Sequence, residues 1–243
     1  MVLDQGPLPP HAAIEYLAES RYGFSWVDLG VSLQEMEDFD LIEVRNPGDF
    51  NRCKDLETME SDLIAFLDEV GVADPDILQR AAARIYKIAH SILRASNRET
   101  AWIWLRATPP KEEALLPNWH FDAGFYPSQN GEAQYKFVMT LIGPSTHFYP
   151  IPKEEMALRQ SLWHRISDQN RIVPLLDPEA IWIPPRGTGV VFLNRFREGA
   201  FHTEPFSKHQ GRLFFSIVLC SHEEMRIVER RVQETFSTLK KKP

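Results

Sequence analysis

The sequence predicts an α+β protein in which a helical N-terminal region precedes a β-rich barrel or sandwich and one helix closes the chain. Three observations lead to this prediction. The first hundred residues carry apolar side chains at helical spacing. From there to residue 220, short β-branched and aromatic runs alternate with Pro, Gly, Asn and Ser. A final amphipathic stretch then begins at Ser221.

The clearest helix is predicted to start after Asp74. Asp74 suits an N-cap and Pro75 suits the first helical position. The apolar stripe that follows consists of Leu78, Ala81, Ala82, Ile85, Ala89, Ile92 and Leu93. A second helix is predicted over roughly residues 57–70, ending at Gly71, and a shorter one from Ala12 to Arg21.

The first predicted strand is the run "TAWIWLRA" from Thr100, which is apolar on both faces and therefore indicates a buried strand. "SQNGE", "GPS", "PPRGTG" and "SKHQG" are turn signals farther along, and "KEEMALRQSLWHRI" predicts a helical insertion. Eight more strands are predicted to begin near Asn118, Tyr135, Thr146, Arg171, Ile181, Gly189, Ala200 and Arg212. The closing helix has Ser221 as its N-cap and two acids in its first turn, Glu223 and Glu224.

Composition narrows the class of protein. The 243 residues are 43% hydrophobic and 25% charged, as in soluble globular proteins. A net charge of −7 disfavours a nucleic-acid partner. Cys53 and Cys220 show no CxxC spacing, which indicates free thiols in a reducing compartment. The N-terminus lacks a signal-peptide pattern and no long apolar run follows, so we expect a cytoplasmic protein with no membrane partner.

The segment "NWHFDAGFY", residues 118–126, holds the first candidate site. In a strand, His120 and Asp122 share one face while Trp119 and Phe121 take the other. An imidazole beside a carboxylate is costly to bury unless something binds both, and a metal ion is one answer. A single H-x-D match is weak, and a structural hydrogen-bonded pair is the alternative.

A third ligand strengthens the metal interpretation. His202 is predicted at the end of a short strand, and two histidines with one carboxylate form the facial triad of non-haem Fe(II) oxygenases. Such enzymes need a cation for a dicarboxylate cosubstrate, and Arg212 lies ten residues after His202. His209, in a polar turn, is the alternative distal ligand.

Together, "WHFD", a histidine about eighty residues later and an arginine ten residues after that resemble the 2-oxoglutarate- and Fe(II)-dependent oxygenases. "GTGVVFL" and "HTEP" also look like that family's stretch around the distal ligand. The resemblance covers roughly residues 100–222 and names no subfamily. It implies a double-stranded β-helix of eight core strands, with H-x-D on the second strand, the distal histidine on the seventh and the arginine on the eighth.

The resemblance also implies roles for individual residues. His120, Asp122 and His202 would hold Fe(II), and Arg212 would pair with the distal carboxylate of 2-oxoglutarate. Many members carry a serine or threonine two positions after the arginine, where this chain has Phe214. The missing hydroxyl would then come from Ser216, one residue pair farther along the strand, or from Thr140 or Tyr135 on a preceding strand.

We therefore expect an Fe(II)/2-oxoglutarate-dependent dioxygenase that hydroxylates a small-molecule, amino-acid or peptide substrate with O₂. Residues 1–97 would form a helical region packed on the barrel, 98–222 the catalytic core and 223–243 the closing helix, all within one structural domain. Two alternatives stay open: a cupin-type metal enzyme that does not use 2-oxoglutarate, and a non-catalytic binding module on the same barrel.

Overall fold

A computed structural model of the protein describes residues 6–53, 56, 58–112, 117–122, 124, 134–194 and 198–239, with the backbone alone at residue 171 and residues 232–239. Seven α-helices lie in these residues. Four precede the barrel, α1 (Pro10–Tyr16), α2 (Leu33–Asp40), α3 (Met59–Val70) and α4 (Pro75–Ala95), and three come later, α5 (Met156–Arg165), α6 (Gln169–Ile172) and α7 (His222–Leu239).

The helix ends confirm the predicted capping signals. Asp74 caps α4 through its side chain, which accepts a hydrogen bond from the Asp76 amide, and Pro75 is the first helical residue. At the start of α7, the Ser221 hydroxyl accepts from the Glu224 amide while the Glu224 carboxylate accepts from the Ser221 amide. This reciprocal pair is a capping box, and it fixes where the last strand gives way to the helix.

The strands form two sheets that face each other. The larger sheet has the order β1-β9-β7-β11-β5-β3 and the smaller one the order β6-β10-β8, and every named pairing in both is antiparallel. The strands are β1 (Phe24–Val27), β2 (Glu43–Val44), β3 (Gly48–Cys53), β4 (Gly71–Val72), β5 (Thr100–Thr108), β6 (His120–Phe121), β7 (Tyr135–Ile142), β8 (His147–Tyr149), β9 (Gly189–Leu193), β10 (Phe201–Thr203) and β11 (Arg212–Cys220). Strands β2 and β4 pair separately.

The path of the chain from β5 to β11 confirms the double-stranded β-helix. Strands β5, β7, β9 and β11 belong to the large sheet, and β6, β8 and β10 belong to the small sheet. An isolated bridge between Phe148 and Trp182 adds one more extended segment beside β8. In chain order the eight core segments are then β5, β6, β7, β8, the segment at Trp182, β9, β10 and β11. His120 lies on the second of these, His202 on the seventh and Arg212 on the eighth.

Parts of the predicted secondary structure are wrong. The segment at Arg171 lies in helix α6, and near Ile181 the chain makes only the bridge at Trp182. The prediction also omitted β1 to β4 from the first hundred residues, although β1 and β3 extend the large sheet at both edges. Finally, β5 alternates between buried and half-buried side chains instead of being buried on both faces.

Side-chain alternation divides the molecule into layers. Phe137, Met139, Phe215 and Ile217 point from the large sheet into the main hydrophobic core against α1 to α4. The opposite face of that sheet looks toward the small sheet. Trp119, Phe121 and Phe201 leave the small sheet on its outer side and pack against α5 and α6 with Leu162 and Ile172. The even-numbered residues between the sheets are therefore the ones that can build a site. Among the described helices, none is long and apolar enough to cross a membrane.

Candidate metal centre

Two neighbouring strands bring the predicted metal ligands together. His202 on β10 pairs directly with His120 on β6, and Asp122 follows two residues after His120. The Asp122 Oδ1 atom lies 3.5 Å from His120 Nε2 and 3.8 Å from His202 Nε2. One ligand atom from each residue lies within 4.8 Å of the other two. Within the part of the chain that the structure describes, this is the one His, Cys, Asp and Glu cluster compact enough to hold a metal ion.

Backbone carbonyls fix the orientation of both imidazoles. The Nδ1 atom of His120 lies 2.7 Å from the Asn118 carbonyl oxygen, and that of His202 lies 3.1 Å from the Ala200 carbonyl oxygen. A carbonyl oxygen can only accept, so each Nδ1 carries a hydrogen, and Nε2 is the atom of each ring that is left to bind a metal. Burial lowers the pKa of His202 to about 3, against the opposing effect of Asp122, so this ring is neutral at physiological pH. Two imidazoles and one carboxylate suit Fe(II).

Asp122 is held by a lysine that the sequence analysis did not single out. Lys136, on β7, places its Nζ 2.8 Å from Asp122 Oδ2, and both side chains are nearly buried. Burial alone would raise the pKa of Asp122, but Lys136 and the two histidines outweigh it and hold that pKa far below its usual range. Asp122 is therefore ionised, with Oδ2 on the lysine and Oδ1 toward the histidines.

From outside the small sheet, the helical insertion holds the start of β10, the strand that carries His202. Arg159 on α5 is fully buried and donates to the carbonyl oxygens of Ile151, Pro152 and Gly199, at 2.5, 3.1 and 2.8 Å. Gly199 is the residue before Ala200, whose carbonyl oxygen accepts from His202 Nδ1. Burial lowers the pKa of Arg159 to about 10, which still leaves it charged at physiological pH.

A second brace acts on the edge strand β6. The Gln169 side chain accepts from the Trp119 amide at 2.8 Å and donates to the Trp119 carbonyl oxygen at 3.0 Å. The side-chain amide of Gln169 thereby makes the two backbone hydrogen bonds that a neighbouring strand would make with Trp119, the residue before His120. The insertion thus fixes the position of the backbone directly before His120.

Arg212 lies at the start of β11 in a cradle of oxygen atoms. Its Nε donates to the Pro144 carbonyl oxygen at 3.1 Å, and its Nη2 lies 2.9 Å from the Thr146 hydroxyl and 3.3 Å from the Thr140 hydroxyl. Gly143 makes this approach possible: its φ is +82°, and a Cβ there would lie 2.5 Å from the Gly211 carbonyl oxygen. Arg212 is 3% exposed, and its burial lowers its pKa to about 10.

A carboxylate of the chain itself occupies the remaining side of this guanidinium. Glu204 Oε1 lies 2.5 Å from Arg212 Nη1, and Glu204 Oε2 lies 3.5 Å from Nη1 of Arg106 on β5. These three residues line a cavity of about 220 Å³ together with Thr108, Lys111 and Asn118. The cradle therefore accepts a carboxylate oxygen, and the chain supplies one.

Of the three candidate hydroxyl groups, that of Thr140 is the one in contact with Arg212. Thr140 contacts Arg212, whereas Ser216 has the same parity as Arg212 but lies 3.5 Å from the Trp104 carbonyl oxygen. Tyr135 has the opposite parity from Thr140 and packs against the main core on the helix side of β7. Phe214 lies under the guanidinium, 4.7 Å from its carbon to the ring centre. His209 is exposed in the turn before β11.

Three residues of this site were given no role from the sequence: Lys136, Thr146 and Glu204. Strand parity could have identified Lys136, because it shares a face of β7 with Thr140. Thr146 and Glu204 lie just outside strands, where no periodicity constrains the direction of a side chain. Their contacts depend on the pairing of distant segments.

Comparison with known proteins gives structural matches only. No protein-family model matches the chain, and no curated protein sequence matches it. The structural matches include a prolyl-4-hydroxylase from Pseudomonas putida, at 12% identity over 88% of this chain and 100% of that one, with a TM-score of 0.40. EvdO2 from Micromonospora carbonacea, solved with 2-oxoglutarate, matches at 18% identity over 90% and 94%, with a TM-score of 0.42. The α-ketoglutarate-dependent carbocyclase SnoK from nogalamycin biosynthesis matches at 10% identity over 89% and 87%, with a TM-score of 0.46.

By their names, the first is a prolyl hydroxylase, the second was solved with 2-oxoglutarate and the third is a non-haem α-ketoglutarate-dependent carbocyclase. Identities this low carry no information on the substrate or on the role of any residue. The roles of residues therefore follow from the side-chain geometry of this chain.

Proposed function

We propose that the protein is a non-haem Fe(II)- and 2-oxoglutarate-dependent oxygenase that hydroxylates a small-molecule, amino-acid or peptide substrate. One observation carries the proposal: His120, Asp122 and His202 converge with their ligand atoms within 4.8 Å of one another, between the two sheets. Two imidazoles and one carboxylate are the donor set of the facial triad, which leaves coordination positions for other ligands.

The surrounding residues have distinct roles in this proposal. His120, Asp122 and His202 would hold the iron, and Lys136 keeps one oxygen of Asp122 turned away from the histidines. The Phe148 and Phe192 rings lie 5.8 and 5.0 Å from the His202 ring and keep water from its inner side. Arg212, with Thr140 and Thr146, would receive the distal carboxylate of 2-oxoglutarate. When bound, Fe(II) and 2-oxoglutarate supply the oxidising chemistry for O₂-dependent hydroxylation, with succinate and CO₂ as coproducts.

The metal assignment is tested by alanine substitution at His120, Asp122 and His202. We expect each variant to lose at least tenfold in Fe(II) affinity by anaerobic calorimetry and to release no succinate from 2-oxoglutarate. His209→Ala is the matched control, because that histidine is exposed in a turn and should not affect either measurement. Wild-type iron affinity in all three triad variants would refute the assignment.

The assignment of Arg212 is tested separately from the metal. Arg212→Lys keeps the charge and removes the planar fork, so the KM for 2-oxoglutarate should rise about tenfold or more while iron affinity stays the same. An unchanged KM would exclude Arg212 from cosubstrate binding.

One observation favours a second candidate function, a metal enzyme of the same fold that does not use 2-oxoglutarate. Arg212 already donates to Pro144, Thr140, Thr146 and Glu204, so its donors are largely committed. If the metal-loaded protein binds no 2-oxoglutarate and releases no succinate, this second function replaces the first.

A further inference from the structure

Arg212 has too few unused donors for a two-pronged contact with an incoming carboxylate. A guanidinium has five N–H groups. In this protein one goes to Pro144, two go to the threonine hydroxyls and one goes to Glu204. One N–H on Nη1 remains. A second carboxylate can therefore bind through two parallel hydrogen bonds only if one of the present partners leaves.

Glu204 is the partner best placed to leave. The threonine hydroxyls and the Pro144 carbonyl belong to the β7–β8 region packed around Arg212, whereas the Glu204 side chain is 39% exposed. Its second oxygen already lies 3.5 Å from Arg106, whose side chain is 40% exposed. A small rotation would move the carboxylate from the buried arginine to the exposed one without leaving it unpaired.

Arg106 is itself held in place to receive that carboxylate. Its guanidinium lies over the Trp104 ring, 4.2 Å from the ring centre, and its Nε lies 3.6 Å from Asp49 on β3. The cavity of about 220 Å³ between the two arginines provides space for the movement.

We propose that Glu204 is an internal competitor for Arg212, and that a dicarboxylate cosubstrate binds by displacing Glu204 onto Arg106. The inference rests on the proposed function and adds to it a regulation of cosubstrate affinity. Without ligand, Glu204 compensates the buried charge of Arg212. With ligand, the distal carboxylate takes over that role. The measured affinity is then weaker than the cradle alone would give, because every binding event must break the Glu204–Arg212 pair.

Glu204→Gln tests the proposal, because the amide keeps the shape of the side chain and removes its charge. Binding of 2-oxoglutarate to the Fe(II)-loaded protein would be measured by anaerobic calorimetry, and binding of glutarate to the metal-free protein by the same method. Glutarate has both carboxylates and no keto group, so it probes Arg212 without metal chelation. We expect Glu204→Gln to bind both ligands at least fivefold more tightly than wild type. Glu43→Gln, in an exposed pair with Arg45, is the matched control and should bind as wild type does.

Arg106→Gln gives a second test that does not depend on the folding of the first variant. Without its receiving cation, Glu204 stays on Arg212, so both ligands should bind more weakly. In the double variant with Glu204→Gln, loss of Arg106 should have no effect on affinity, because Arg106 acts through Glu204. A persistent effect would mean that Arg106 contacts the ligand itself, and would overturn the proposed transfer.

The outcomes separate this inference from the proposed function. If wild type binds 2-oxoglutarate and Glu204→Gln binds it equally or more weakly, Glu204 is not a competitor and the oxygenase proposal stands. If the Glu204→Gln variant does not fold, unchanged affinity in Arg106→Gln refutes the inference. If wild-type protein binds Fe(II) but neither ligand, the 2-oxoglutarate function and this inference both fail.

Discussion

Replacing Lys136 with methionine should destabilise the metal-free protein and strengthen its metal binding. Methionine keeps most of the length of the side chain and removes its charge. In the native structure, Lys136 Nζ lies 2.8 Å from Asp122 Oδ2, with side-chain exposures of 8% and 12%. The variant therefore leaves an ionised carboxylate between the sheets without its closest cation.

The magnitude follows from the burial of both partners. Breaking a buried ion pair by removing one partner costs roughly 3–5 kcal/mol, because the remaining charge stays desolvated. For a chain of this length, each kcal/mol lowers Tm by about 2–4 °C, so a fall of about 10 °C is expected. A bound divalent metal would supply the missing positive charge. Metal should consequently stabilise Lys136→Met more than it stabilises wild type.

A double-mutant cycle isolates the pair from other effects of the substitution. Urea unfolding in EDTA would be followed by circular dichroism for wild type, Lys136→Met, Asp122→Asn and the double variant. Because the double variant removes both charges, it should be less destabilised than the two single losses combined, with a coupling of about 2 kcal/mol or more. A loss below about 1 kcal/mol in Lys136→Met, or strict additivity in the cycle, would refute the reasoning.

Two further predictions concern protonation and thiol reactivity. Because burial lowers the pKa of His202 to about 3, the unfolded chain binds a proton below pH 6.5 that the folded chain does not. Metal-free stability should therefore fall by up to about 1.4 kcal/mol per pH unit from pH 6.5 to 5, and His202→Gln should flatten that slope in urea unfolding. Asp122, whose pKa is lowered, makes the stability depend on pH only below about pH 4. The slope between pH 6.5 and 5 therefore reports on His202, and an equal slope in His202→Gln would contradict the neutral state of that ring in the folded protein. Burial raises the pKa of Cys220 to about 12, so at pH 8 a disulfide reagent should modify Cys53 and reach Cys220 only after unfolding, as peptide mass spectrometry would show.

Local patterns predicted the elements that local interactions stabilise. Helix α4 has an N-cap, a proline at its start and a long apolar stripe, and it forms where the sequence indicated. Strands β7, β9 and β11 are β-branched or aromatic runs, and they too begin where expected. The prediction was wrong at Arg171 because "RIVPLL" combines β-branched residues with a proline, and a helix of four residues has no readable period.

Strands that depend on distant partners could not be predicted. Strand β3 has the sequence GDFNRC, and Gly, Asp, Asn and Arg are poor strand residues on their own. It extends the large sheet because β5 offers a free edge for six residues of antiparallel pairing. Strand β1, with four residues, pairs with β9 in the same way. In both cases tertiary pairing decides the conformation.

The site shows the same division between local pattern and distant contact. Sequence spacing, together with the family resemblance, identified His120, Asp122, His202 and Arg212 as candidates. Spacing could not show that two of these residues already have internal partners. Lys136 places a positive charge beside Asp122, and Glu204 places a negative charge beside Arg212.

The two pairs together explain how such a site can fold before any ligand arrives. Asp122 and Arg212 are almost fully buried, and either charge would be costly between the sheets without a counter-charge. Lys136 supplies the positive charge that a metal ion would otherwise provide, and Glu204 supplies the negative charge that a cosubstrate carboxylate would provide. Binding of the cosubstrate would then exchange one counter-charge of Arg212 for another. The two pairs differ in one respect, because Lys136 is nearly as buried as Asp122 whereas Glu204 is 39% exposed with a second arginine in reach. Lys136 should therefore stay in place when metal binds, while Glu204 should move when the cosubstrate binds.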